Sequence, residues 1–178
     1  MKLYSKNILF FTTIFLTVAC SSSKNISNKN SYPNSFADIN VLQYDVPGWD
    51  QLTLQQKTLA YYLYEASLAG RDIFYDQTNK YNLTVRKTLE GIINTYKGDK
   101  SGKDWEAFLS YTGRVWFSNG IHHHYSNDKI LPDFTFEYFS ELVKKSEIKS
   151  LPLTEGETVE TFLSNMQKII FNKDYMSK

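Results

Sequence analysis

Apolar positions at helical spacing run through most of the chain after residue 50. Leu59, Leu63, Ala66, Gly70 and Ile73 recur at steps of four and three, which marks one face of a helix. Thr53 with Gln56 three residues on is a capping-box pattern at its start. Tyr61, Tyr62, Tyr64 and Phe74 widen the apolar face, so this helix is expected to be covered on more than one side. Gly70 falls inside it at a cost of about 1 kcal/mol against alanine and is expected to mark close packing against a neighbour.

A second helix is expected over 82–96, with Val85, Leu89, Ile92, Ile93 and Tyr96 inward, followed by a polar turn over 97–103. The third runs from about Asp104 to Ser118 and is expected to bury Trp105, Phe108, Leu109, Thr112, Val115 and Trp116. Pro132-Asp133 leads into a fourth, Thr135 to Lys145. Thr154 and Glu157 form another capping pattern, expected to open a last helix with Val159, Phe162, Leu163, Met166, Ile169 and Ile170 inward. Phe36 to Val46 lacks helical period and ends at Pro47-Gly48, an extended lead-in. No internal repeat interrupts this order, and the predicted class is mainly α.

The first twenty residues read differently. Lys2 and Lys6 precede an uncharged stretch from Ile8 to Ala19, and Cys20 follows directly. A helix over that stretch rises about 18 Å, short of a ~30 Å hydrocarbon core, so the layout is that of a signal peptide rather than a span. Leu16-Thr17-Val18-Ala19-Cys20 resembles a lipobox, in which the cysteine is diacylated and becomes the new N-terminus. Segments 1–19 and 20–35 are thus expected to be a lipoprotein signal peptide and a flexible tether. The tether, rich in Ser, Asn and Lys, has too little apolar surface to offset its ordering entropy. Residues 36–178 are the expected folded part. Export, with a membrane anchor through the lipid on Cys20, follows. Ser21 after the cysteine is what many outer-membrane lipoproteins carry, facing periplasm or cell surface.

Composition narrows the function. Without Lys2 and Lys6, 18 basic side chains stand against 19 acidic ones, which provides no basic field for nucleic acid. Cys20 is the only cysteine, so no internal disulfide forms and, once lipidated, no thiol nucleophile remains. No His-Glu pair with a second histidine at helical spacing, no Gly-rich phosphate loop and no Gly-x-Ser-x-Gly elbow occur. The residues therefore nominate no catalytic group and no metal ligand.

One segment stands out. Asn119-Gly120-Ile121-His122-His123-His124-Tyr125-Ser126-Asn127-Asp128 holds all three histidines. Three readings compete: a transition-metal site, the polar wall of a substrate cleft, and a structural loop whose rings are satisfied by backbone. In an extended segment His122 and His124 would share a side, with further ligands still to be found. The residues by themselves favour the structural loop.

Leu54 to Arg71 (LQQKTLAYYLYEASLAGR), Trp105 to Arg114 (WEAFLSYTGR) and Val115 to Phe134 (VWFSNGIHHHYSNDKILPDF) resemble the N-terminal region of the dipeptidyl peptidase III family, most of all its Bacteroidetes branch. Asn119, Asp128, Lys129 and Pro132 keep the register of that family's loop. The resemblance implies a zinc-dependent aminopeptidase, a hydrolase that removes dipeptides from the N-termini of oligopeptides held between two lobes. It places this chain in the helical N-terminal part of the lower lobe, near the cleft. Asn119, His122, His123, His124, Tyr125 and Asp128 become candidates for substrate contact. The family's zinc ligands lie hundreds of residues further on, so this chain is expected to be a fragment of a metallopeptidase, inactive alone and without its own cofactor. The alternative is a non-catalytic helical lipoprotein that binds peptides or a partner.

Overall fold

A computed structural model describes residues 35–42 and 44–175. The expected signal peptide, Cys20 and all but the last residue of the expected tether lie outside them. Helix takes up 59 % of the described residues, which contain no strand, so the fold is mainly α. No helix among them is long and apolar enough to cross a membrane.

The lead-in turns on itself at 36–39, where Phe36 and Ile39 exchange backbone hydrogen bonds of 3.1 and 2.9 Å. A short 3-10 turn, Trp49–Gln51, then delivers the chain to α1, Leu54–Ala69. Thr53 caps it as its sequence predicts: the Thr53 hydroxyl accepts the Gln56 N–H at 3.3 Å, and the Gln56 side chain accepts the Thr53 N–H at 2.9 Å. The expected single helix breaks at Gly70, and α2, Arg71–Thr78, departs from it. Gly70 marks this junction rather than a tight contact, since a Cβ there would meet only the Ser67 carbonyl, at 3.7 Å. The expected covering of α1 is also absent. None of its residues is buried, and Leu59, Leu63, Tyr61, Tyr62 and Tyr64 are each more than half exposed.

Burial begins at α2. Tyr75 is buried and donates to the Trp116 carbonyl at 3.4 Å. Buried Arg86 pairs with Asp72 of α2 and, at 3.0 Å, with Glu90 one turn along its own helix, so its charge is compensated where it is desolvated. That helix, α3 (Asn82–Thr95), presents Val85, Leu89 and Ile92 inward, and Tyr96 follows at its C-cap. Helix α4, Lys103–Ser118, packs against it through Trp105, Phe108, Tyr111 and Val115. Two positions of the expected stripe fail here: Leu109 is 41 % and Trp116 40 % exposed, whereas Tyr111 is buried. The buried face is rotated toward Tyr111 because Phe134, in the segment leading into α5 (Phe136–Lys144), lies on that side. Phe134 makes edge-on contacts with Phe108, Tyr111 and Phe171, all at 5.8 Å between centroids.

The last helix starts later than its capping pattern suggests. Thr154 and Glu157 do bond each other, with the Thr154 N–H donating to the Glu157 carboxylate at 3.0 Å. Gly156 between them takes φ 78°, a left-handed turn that no helix continues through. Thr158 becomes the N-cap, accepting from the Thr161 N–H, and α6 spans Val159–Met166. A π-helical stretch, Gln167–Phe171, extends it. Phe162, Leu163, Met166, Ile169 and Ile170 all enter the core as their spacing predicts.

Candidate functional site

The histidine segment is built on the end of α4. Asn119 takes a left-handed conformation, φ 52°, and its N–H reaches the Trp116 carbonyl at 3.4 Å while the Gly120 N–H reaches that of Val115 at 3.0 Å. This paired closure is the Schellman pattern and turns the chain sharply off the helix. Buried Asn82 then clamps the turn: its Oδ1 accepts the Ile121 N–H at 3.0 Å and its Nδ2 donates to the Asn119 carbonyl at 3.4 Å. A Cβ on Gly120 would lie 2.2 Å from that Nδ2, so only glycine allows the clamp to close.

From there residues 121–130 form a hairpin-like arm. Ile130 N–H donates to the Ile121 carbonyl and His123 N–H to the Asp128 carbonyl, each at 2.8 Å. Buried Ile121 and Ile130 root the arm, and the tip from His123 to Asp128 is exposed. His122 is buried in the root whereas His124 is exposed, so the two rings do not share a side. His123 Nδ1 accepts the N–H groups of Tyr125 and Ser126, both at 3.3 Å. Ser126 Oγ donates to the Asp128 carboxylate at 2.8 Å. The rings stack along the tip: His123 on His124 at 4.5 Å, and His124 against Tyr125 at 4.2 Å, with Phe117 edge-on to His124 at 4.8 Å.

This tip forms one wall of a cleft of about 640 Å³. Arg114, Phe117 and Ser118 of α4 supply a second wall and Asp38, Ile39 and Asn40 of the lead-in a third. Two contacts hold the lead-in in place. Arg114 Nη2 donates to Asp38 Oδ1 at 3.1 Å, and the Phe36 ring lies over Gly113, where a Cβ would come within 2.7 Å of it. Of the sequence candidates, His123, His124, Tyr125 and Asp128 line this cleft. Asn119 and His122 do not; they face a smaller cavity of about 220 Å³ on the other side of the arm, with Phe74 and Thr78 of α2.

Lys129, which also lines the cleft, ties the arm to the end of the described chain. Its Nζ donates to the carbonyls of Asn172 at 2.6 Å and Tyr175 at 2.9 Å, in the turn that follows the π-helical stretch. Burial pulls its ammonium below the ordinary lysine range, against the opposing pull of Asp174.

Asp38, Arg114, Phe117 and Asn82 escaped the sequence reading because their roles are set by neighbours distant along the chain. Arg114 closes the WEAFLSYTGR stretch and is a charge on the third helix beside the loop, which was the one available signal. The zinc that the family resemblance implies finds no matching donors here. His123 Nδ1 is occupied by two amides, and among the described residues no group of three or more His, Cys, Asp or Glu converges as a metal requires. Aromatic planes, two carboxylates and a guanidinium surround this cleft. No family model matches this chain, and no curated protein matches it.

Proposed function

We propose that this protein is an exported, lipid-anchored chain carrying the substrate side of a dipeptidyl peptidase III-like cleft, which holds oligopeptides without cleaving them by itself. The observation that carries this reading is the 640 Å³ cleft in which His123, His124, Tyr125 and Asp128 meet Arg114 and Asp38. Such a surface offers a peptide both ring faces for its side chains and charged groups for its backbone and termini. The residue-level resemblance to the N-terminal region of that family supports peptide as the ligand class and a position in the lower lobe of a two-lobed metallopeptidase. The zinc and the hydrolytic groups belong to other parts of such an enzyme, and no step of hydrolysis is assigned to this chain.

The test is a titration of the purified chain with a fluorescent oligopeptide bearing a free N-terminus. Tyr125→Ala and His124→Ala are each expected to weaken binding about tenfold, the loss of roughly one aromatic contact. Dipeptidyl arylamides with added zinc are expected to stay intact. Binding that ignores both substitutions, or zinc-dependent turnover, overturns the proposal.

A further inference from the structure

Helix α1 is unusual in having apolar residues around its whole circumference while none of it is buried. A helix of that composition belongs inside protein. Leu54, Leu59, Tyr61, Tyr62, Leu63 and Tyr64 are each more than half exposed, an unusual density of open apolar side chains for one helix.

One stripe of α1 carries its own instructions for a partner. Leu54, Tyr61 and Leu68 recur every seven residues and are 81 %, 57 % and 43 % exposed. Residues seven apart lie along one line of a helix and form one of the two rows that make the seam of a two-helix pairing. Lys57 and Glu65, the only charged residues of α1, stand one turn before and one turn after Tyr61. If a second α1 lies antiparallel with a twofold axis at Tyr61, Leu54 faces Leu68 of the second copy, and Lys57 faces its Glu65. Every pair recurs on the other side of the axis, as an isologous contact requires. The stripe is therefore complementary to itself in both apolar content and charge.

A bilayer surface fits less well. An interfacial helix needs a strongly polar, basic face opposite its apolar one, and α1 has a single lysine and no such face. We infer that the chain forms a twofold homodimer through antiparallel pairing of α1, centred on Tyr61. This inference is independent of what the cleft binds.

Analytical ultracentrifugation of the purified chain over the micromolar range tests it. The expected result is a dimer that Lys57→Glu weakens about tenfold by placing like charges together at two symmetric sites. The double variant Lys57→Glu/Glu65→Lys is expected to restore it. Tyr61→Cys in a Cys20→Ser background is expected to give a disulfide-linked dimer on mild oxidation. All three positions lie on an exposed helix, so circular dichroism should be unchanged. A monomer throughout the range overturns the inference, as does a dimer indifferent to Lys57→Glu, or a monomer that binds anionic lipid vesicles through α1.

Discussion

The Tyr111 hydroxyl is wholly buried and has no hydrogen-bond partner among the described residues. Burial raises its ionisation well above the ordinary tyrosine value of 10.0. The folded state therefore keeps its proton where the unfolded chain releases it. The two states differ little below pH 10, and stability falls as pH rises above it. Tyr111→Phe removes both liabilities. It is expected to be within about 1 kcal/mol of wild type at pH 7, or more stable, because no hydrogen bond is lost. Between pH 10 and 11 the wild type should lose about 1 kcal/mol more than the variant, as read from urea unfolding at each pH. A second contrast lies on the same helix. Phe108 is fully buried and Trp116 is 40 % exposed. Phe108→Ala should cost about 3–5 kcal/mol and Trp116→Ala about 1 kcal/mol, compared by the same unfolding measurement.

At the level of elements, short-range chemistry decides some ends and not others. Thr53 and Gln56 cap α1 because nothing between them resists helical geometry. Thr154 and Glu157 make comparable bonds, yet Gly156 bends the chain between them and the helix waits for Thr158. The arm shows the opposite dependence, a loop held by a residue from another helix. Asn82→Ala would leave the buried Ile121 N–H without its acceptor. The expected loss is about 1–3 kcal/mol, with faster amide exchange at Ile121 and weaker peptide binding at the tip it positions.

The whole molecule is proposed to combine a lipid anchor with a helical body. The expected anchor at Cys20 has a direct check. A tagged fatty acid fed to expressing cells should label the wild type and spare Cys20→Ser, and equal labelling of both would remove the anchor from the proposal. The body buries one continuous core from α3 to the π-helical stretch, and leaves α1 outside it. The last helix is thus well secured by Phe162 and Ile170, and α1 is the element that the core holds least.

Helix positions and the inward faces of α3 and α6 were legible in the sequence, because periodic apolar spacing and local caps act within a few residues. The place of the histidine loop, just past an Asn-Gly helix end, was legible for the same reason. What the loop does was not. His123 spends its Nδ1 on the tip's own amides, His122 is buried, and the cleft takes its other walls from Arg114 and from Asp38, 76 residues apart. Nor does periodicity say whether an apolar stripe meets anything. Leu63 and Leu89 obey the same spacing, yet one is 63 % exposed and the other not at all. Local chemistry determines that a helix forms; only the long-range fit of other elements determines which of its faces leaves the water.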